Sequence, residues 1–221
     1  MELLLRLYFL QQWFGLADEA WEDAVYDSQA FRGFLGLDLG RAAVPDATTL
    51  LKFRHRLETS GLTTTLFDTI NAMLRERGLL MTKGTLVDAT LIAAPAATKN
   101  QARARDPEMG HTRKGQPYYF GAKAHIGVDA ESGLVHSTTT TAAKVADITA
   151  TANLLHGEEA AVFADAGYTG AEKREELKDQ DVKWYIATKR SKITALPEGQ
   201  AQALCKQIER LKAQARSRIE H

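Results

Sequence analysis

Hydrophobic positions recur with a helical period in the first third of the chain. One series runs from Leu3 to Phe14 and a second from Leu50 to Leu57, each with apolar residues three or four positions apart. Such spacing places the apolar side chains on one face of a helix. Asp46 precedes the second series and is a residue type that caps helix N-termini. With glycines interrupting the segment, the pattern predicts an N-terminal region of four or five helices.

The period changes after Gly84. Thr85–Ile92 is a nearly continuous apolar run, which predicts a buried strand. Residues 93–117 are polar and contain prolines and glycines, which predicts a long loop. Tyr119–Val128 alternates strictly, with Lys123 and His125 on the face opposite the larger apolar side chains. Leu134–Thr141 is rich in threonine and predicts the partner strand of a hairpin.

The last third of the chain alternates between helical and strand patterns. Its predicted elements are a helix capped by Asp147, a strand Ala160–Ala164, a helix from the capping box Thr169/Glu172 to Lys178, a strand Val182–Ala187 and a helix Gln200–His221. This order predicts an α/β (α+β) fold, a mixed sheet flanked by helices and preceded by a helical N-terminal region. We place the two domains at residues 1–80 and 81–221.

Composition is that of an ordinary soluble globular protein. The 221 residues are 44% hydrophobic and 25% charged, which excludes disordered and collagen-like chains. The single cysteine, Cys205, cannot form an internal disulfide. Met1–Leu16 is too short and too polar to cross a bilayer and lacks the features of a signal peptide. These observations predict a cytoplasmic protein.

The formal net charge is zero, but the charges are segregated along the chain. Residues 1–50 contain 3 basic and 8 acidic residues, and residues 126–182 contain 4 and 11. Residues 97–125 contain 6 basic and 2 acidic residues, and residues 183–218 contain 9 and 2. Two basic segments therefore stand out against acidic ones, as expected of a protein that contacts phosphates locally.

Three carboxylates are candidates for chemistry. Asp88 interrupts the buried strand, Asp165 directly follows the strand Ala160–Ala164, and Glu220 lies on the last helix. Each alone has an ordinary explanation: a paired core aspartate, a turn aspartate and a solvated helical acid. Together they could converge on a pair of divalent cations, which prefer oxygen ligands and act on phosphodiesters.

The sequence resembles the DDE transposases of bacterial insertion sequences, in particular the IS5 family. The resemblance extends over nearly the whole chain, and its motifs are Tyr8–Phe14, Val44–His55, Val87–Ile92, Phe120–Asp129, Ala164–Gly170 and the pair Arg216 and Glu220.

The resemblance implies an RNase H-like catalytic domain with Asp88, Asp165 and Glu220 as the acidic triad that holds two Mg²⁺ (or Mn²⁺) ions. It also implies cleavage of DNA at the element's terminal inverted repeats and strand transfer into target DNA. The implied protein is a homo-oligomer associated with the bacterial nucleoid. Family members normally extend past both ends of this chain, so we expect a truncated copy whose catalytic domain is incomplete at its C-terminus.

The basic segments supply the candidate DNA contacts. Each phosphate contact releases counterions and makes binding depend on salt. The predicted contacts are Arg103, Arg105, Arg113, Lys114, Lys123, His125, Lys189, Arg190, Lys192 and Arg216.

Two alternatives to an active transposase remain open at this point. One is a truncated, catalytically impaired remnant that binds DNA without cutting it. The other is a metal-dependent nuclease that lacks strand transfer. The helical N-terminal region is expected to bind the DNA ends or to mediate dimerisation.

Overall fold

The computed structural model describes residues 1–80, 83–94, 105–113 and 115–217. These residues divide into two compact units, Met1–Ile70 and Asn71–His221. The sequence analysis places the boundary ten residues later. The difference arises because the end of the fifth helix packs with the second unit, where Asn71 Nδ2 donates a hydrogen bond to the His136 carbonyl oxygen (3.2 Å).

The first unit is helical, as predicted. Its core contains Leu7, Trp21, Leu50 and Phe53, all buried. Asp46 caps the fourth helix, since its Oδ1 accepts a hydrogen bond from the Thr49 backbone N–H (2.7 Å). The five helices before residue 80 are α1 (Glu2–Phe14), α2 (Ala20–Asp27), α3 (Gln29–Leu35), α4 (Ala47–Thr59) and α5 (Leu62–Glu76), the last of which continues into the second unit.

The second unit is built on a mixed sheet, as predicted, and the described residues form six strands where the sequence predicted five. Its strands are β1 (Gly84–Ala93), β2 (Gly110–Arg113), β3 (Tyr118–Asp129), β4 (Val135–Ala142), β5 (Ala161–Ala164) and β6 (Lys183–Ile186). β1 lies at the centre, antiparallel to β3 and parallel to β5, and β6 continues the sheet parallel to β5. On its other edge β3 pairs with β4 and, over its first residues, with β2.

The two faces of β3 differ in burial. The face that carries Gly121, His125 and Gly127 is the buried one. A Cβ atom on Gly127 would lie 2.4 Å from the Leu154 carbonyl oxygen, because the 3₁₀ helix Asp147–Leu154 packs directly on this face. The chemically distinctive face of β3 therefore points into the domain.

Three predictions in this unit are wrong. Asp147 does not cap an α-helix, because Asp147–Leu154 is a 3₁₀ helix without a side-chain cap hydrogen bond. The predicted loop 93–117 contains β2, whose pairing with β3 is a tertiary contact that its short sequence does not signal. The capping box at Thr169 does not open an α-helix: the Thr169 hydroxyl donates back to the Ala166 carbonyl oxygen (2.8 Å), and Gly170 adopts φ 96°. Only the 3₁₀ turn Ala171–Lys173 follows.

Two α-helices complete the second unit. The short α6 (Arg190–Thr194) was not predicted, whereas α7 (Gln200–Arg216) corresponds to the predicted last helix up to the end of the described residues. Within the described ranges, none of the helices has the length and apolar character needed to cross a membrane.

Candidate active site

The sheet brings the two strand carboxylates together. In the parallel pair formed by β1 and β5, Val87 is the partner of Ala164. Asp88, which is still within β1, and Asp165, which directly follows β5, come next along the chain and thus lie at the same edge of this pair. Ligands of open α/β sheets gather where parallel strands end.

Asp88 lies in an electrostatically unfavourable place. Burial raises the pKa of its carboxyl above the ordinary value, and the negative charges of Asp165 and Asp147 raise it further. The Ala89 backbone N–H donates to Asp88 Oδ1 (2.8 Å), and the positive charge of Arg216 also lowers the pKa. Burial and the two neighbouring aspartates together outweigh these two interactions, so the described residues do not fully compensate the negative charge of Asp88.

Asp165 is fixed by its own loop. Its Oδ1 accepts a hydrogen bond from the Gly167 backbone N–H (2.8 Å), so it caps the 3₁₀ turn Ala166–Tyr168. The turn begins directly at the end of β5, which explains why an aspartate sits here. This one bond uses one side of the carboxylate.

Asp147 is a third carboxylate at this site, and the sequence analysis missed it by interpreting it as a helix cap. It makes no capping hydrogen bond, because its Oδ1 is paired with Lys123 Nζ at 2.8 Å. Its Oδ2 lies on the side of Gly167: a Cβ atom there would be 3.4 Å from Asp147 Oδ2 and 2.9 Å from Asp165 Oδ1. The carboxylates of Asp147 and Asp165 therefore flank the same glycine.

Tyr168 adds a buried hydroxyl to the three carboxylates. The residue is 1% exposed, and its hydroxyl has no hydrogen-bond partner among the described residues. Burial raises its pKa, and so do the nearby charges of Asp147, Asp88 and Asp165. An aromatic hydroxyl three residues after Asp165, in a loop at a strand end, is the sequence signal that could have identified it.

The structure places the two β3 residues inside the domain. Lys123 donates to Asp147 and to the Val145 carbonyl oxygen (2.8 Å each). His125 is fully buried, and its Nε2 is hydrogen-bonded to Thr141 Oγ1 (2.8 Å). Burial lowers the pKa of His125. The predicted contact of His125 with DNA requires an exposed side chain, which this arrangement does not provide.

Other predicted DNA contacts lie at the edge that carries the carboxylates. Lys189, Arg190 and Lys192 are exposed just beyond β6, which runs parallel to β5 and ends at the same edge. Lys189 and Lys192 line a cavity of about 290 Å³ together with the loop that follows Asp165. Arg216, at the end of α7, is close enough to Asp88 to affect its pKa.

A second group of basic residues lies where β1 and β3 extend past the end of β5. Arg113 is exposed at the end of β2, with its guanidinium 5.6 Å from the ring centroid of the exposed Tyr118. Arg105 is also exposed, and its guanidinium lies over the Phe120 ring. Arg103, Lys114 and Glu220 lie outside the described residues.

The donor set fits a hard divalent cation. Carboxylate oxygens are the ligands that Mg²⁺ and Mn²⁺ prefer, and the uncompensated charge at Asp88 and the unpaired Tyr168 hydroxyl are polar features that a cation and its waters would satisfy. Within the described ranges, no group of three or more His, Cys, Asp or Glu side chains has the arrangement of a complete metal site. The third predicted ligand, Glu220, falls outside those ranges.

Comparison with known families gives two matches. The family described as "Transposase DDE domain" matches residues 80–221, and the family described as "Transposase domain (DUF772)" matches residues 1–56. The DDE domain is RNase H-like, and the mixed sheet with flanking helices has the architecture expected from it. No solved structure matches the chain.

Proposed function

Because the chain belongs to the family of transposase DDE domains, we propose that it cuts DNA at the ends of an insertion sequence and joins those ends to target DNA. A DDE transposase domain implies polynucleotidyl transfer in general. The assignment to the IS5 family rests on the sequence motifs named above, which occur in both matched regions. In this proposal the protein acts on DNA in the bacterial cytoplasm, associated with the nucleoid.

One observation supports the proposal: Asp88 and Asp165 directly follow Val87 and Ala164, which are the last partners of the parallel pair β1 and β5. Burial raises the pKa of Asp88, and the negative charge of Asp165 raises it further. A costly cluster of like charges is typical of a site that binds a cation or performs catalysis. With Glu220 it forms the proposed DDE triad.

The residues of the chain act mainly by position and charge. Two Mg²⁺ or Mn²⁺ ions held by Asp88, Asp165 and Glu220 would help to form the attacking oxygen and to stabilise the leaving 3′-oxygen. The hydrogen bonds from Ala89 and Gly167 fix the two aspartates. Arg216 places a positive charge beside Asp88, where it would also attract the scissile phosphate.

DNA is proposed to approach along the edge that carries the carboxylates. The end of β5 has exposed basic side chains on both sides. Lys189, Arg190 and Lys192 lie beyond β6 on one side, and Arg105 and Arg113 lie on the other. Their guanidinium and ammonium groups suit phosphate oxygens. The exposed ring of Tyr118 beside Arg113 suits stacking on an unpaired base at a cut end.

The N-terminal unit is proposed to assemble the protein into a homo-oligomer. Residues 1–50 are acidic, which disfavours DNA as their main partner. Trp13 is 64% exposed and stacks on Phe9 with ring centroids 5.4 Å apart. Exposed aromatic side chains of this kind are enriched at protein interfaces, whereas Leu7 on the same helix is buried in the unit's own core.

The proposal is tested with labelled DNA that carries the element's ends. Wild type, Asp88→Asn and the control Asp68→Asn are incubated with Mg²⁺ or Mn²⁺, and cut and joined products are separated on a gel. Asp68 is an exposed acid of α5, so its variant is expected to behave as wild type. We expect cut and joined products with wild type and neither with Asp88→Asn.

The other outcomes separate the alternatives. Cut products without joined products from wild type indicate a nuclease. Specific binding of the ends without any cutting indicates a DNA-binding remnant. Equal cutting by wild type and Asp88→Asn contradicts the proposed site.

A further inference from the structure

The ion pair between Lys123 and Asp147 lies inside the acidic site, although the DDE triad uses neither residue. We infer that Asp147 is a fourth carboxylate of the cation site and that Lys123 is the positioning residue that holds it there. The inference rests on the proposed metal-dependent transfer, and it assigns roles to two residues outside the triad.

The side chain of Lys123 is largely buried and binds the Asp147 carboxylate. Its side chain is 15% exposed, and its ammonium group makes two hydrogen bonds of 2.8 Å, to Asp147 Oδ1 and to the Val145 carbonyl oxygen. Val145 lies in the turn between β4 and the 3₁₀ helix Asp147–Leu154, and Asp147 is the first residue of that helix. Lys123 therefore ties this turn to β3 and fixes the direction of the Asp147 side chain.

Asp147 presents its second oxygen to the site. Oδ1 is occupied by Lys123, whereas Oδ2 lies toward Gly167 on the side where Asp165 Oδ1 also lies. The charge of Asp147 raises the pKa of both Asp88 and Tyr168, which places it within electrostatic reach of each. Oδ2 accepts no hydrogen bond from the described residues, so it is available to a cation or its waters.

The Tyr168 hydroxyl is the independent observation that points to a ligand. A buried hydroxyl without a partner destabilises the folded protein, because its hydrogen bonds to water are lost and not replaced. This hydroxyl is buried and unpaired among the described residues, and it faces the charges of Asp147, Asp88 and Asp165. A hydrated divalent cation between these groups would supply both the positive charge and the oxygen partner that they lack.

The ammonium of Lys123 explains how a fourth carboxylate is tolerated here. Unpaired carboxylates at Asp88, Asp147 and Asp165 would repel one another strongly, and Asp147 adds less net negative charge because it is paired with Lys123. Groups that orient the ligands of a metal are typically worth 10–100-fold in metal affinity. Lys123 therefore contributes through the position of Asp147, although its own positive charge opposes cation binding.

The test is Mn²⁺ binding to the metal-free 221-residue chain, measured by titration calorimetry without DNA. The variants are Asp147→Asn, Lys123→Met and the double variant, all nearly isosteric with wild type. We expect Asp147→Asn to weaken Mn²⁺ binding by about tenfold or more. Lys123→Met is expected to weaken it as well, and to weaken it no further in the Asp147→Asn background.

A matched control uses an exposed ion pair of the same kind. Lys178 Nζ lies 2.7 Å from Glu175 Oε1 on the surface, and the variants Lys178→Met and Glu175→Gln are expected to leave Mn²⁺ affinity unchanged. Thermal unfolding of each variant verifies that it is folded. If Lys123→Met does not fold, the comparison of Asp147→Asn with wild type still decides the role of Asp147.

Each result has a definite meaning. Unchanged Mn²⁺ affinity in Asp147→Asn overturns the inference, and tighter binding in Lys123→Met overturns the positioning role of Lys123. DNA affinity of Lys123→Met is measured separately: a variant that loses DNA affinity and keeps its Mn²⁺ affinity makes Lys123 a phosphate contact and overturns its positioning role. If wild type binds no Mn²⁺ and cuts no DNA, the proposed function itself fails. If wild type binds Mn²⁺, and this binding is lost in Asp88→Asn but kept in Asp147→Asn, only the present inference is refuted.

Discussion

A carboxylate inside a buried strand destabilises the fold that holds it unless something compensates its charge. Asp88 is such a residue, since burial and two neighbouring aspartates raise its pKa. A raised pKa in the folded state means that the folded chain binds the proton more tightly than the unfolded chain does. The stabilisation from that proton is present at low pH and is lost as the pH rises through the folded pKa.

Asp88→Asn is therefore expected to stabilise the metal-free protein at pH 7 while abolishing DNA cleavage. Asn keeps the acceptor for the Ala89 N–H and removes the charge. A gain of order 1 kcal/mol would raise the melting temperature by about 2–4 °C. Calorimetric scans at pH 7 and pH 4 measure it, and the gain should be smaller at pH 4, where Asp88 is more protonated.

The exposed Asp68→Asn variant serves as the control and should leave the melting temperature unchanged. A melting temperature of Asp88→Asn at or below that of wild type at pH 7 would show that the charge of Asp88 is already compensated in the folded protein.

At the scale of elements, the hydrophobic pattern predicted the strands whose burial is determined by their own sequence. The alternation of residues 119–128 gave β3, and the apolar runs gave β1, β5 and β6, because burial on one or both faces is encoded in the strand itself. β2 escaped prediction because four residues, Gly110–Arg113, have too little pattern to indicate a strand. β2 forms because it pairs with the first residues of β3, which lie next to it in the sheet.

The candidate site follows the same division. Asp88 and Asp165 were predictable because each stands at a conspicuous place in a strand pattern. Asp147 was not, because its partner Lys123 is 24 residues away and only the packing of the turn on β3 brings them together. The local sequence predicted that Asp147 caps a helix, whereas its carboxylate forms a tertiary ion pair with Lys123.

His136 connects several elements of the second unit and makes their association sensitive to pH. It lies on β4, its Nε2 is 3.1 Å from Thr85 Oγ1 on β1, and its carbonyl oxygen accepts from Asn71 on α5. Burial and the neighbouring His156 lower the pKa of His136 from 6.5 to about 4. The folded protein therefore keeps it neutral at a pH where the unfolded chain is protonated.

Stability is accordingly expected to fall as the pH decreases from 6.5 to 4, by about 3 kcal/mol for this group. His136→Gln should flatten this dependence, whatever its effect at neutral pH. Urea unfolding between pH 7 and pH 4 measures the slope. The exposed His55→Gln is the control, and equal slopes in wild type and His136→Gln would contradict the assignment.

At the scale of the whole molecule, a net charge of zero conceals a separation of acidic and basic segments. The first 50 residues are acidic, whereas residues 183–218 carry 9 basic and 2 acidic residues. The fold places the exposed bases Lys189 and Lys192 beyond β6, at the edge where β5 ends with Asp165. A neutral protein thus presents a local positive surface beside a negative site, which would draw phosphates toward the carboxylates without making the whole chain basic.

This local surface predicts a specific dependence of DNA binding on salt. Each phosphate contact contributes about −0.9 to the slope of log affinity against log salt concentration. Lys189→Gln/Lys192→Gln should therefore reduce the magnitude of that slope by about 2, as measured by fluorescence anisotropy from low to high salt. The double variant Lys173→Gln/Lys178→Gln changes the net charge equally but lies in the acidic segment, so it should leave the slope unchanged. If both double variants reduce the slope alike, the effect reflects total charge, and DNA does not follow the edge at β6.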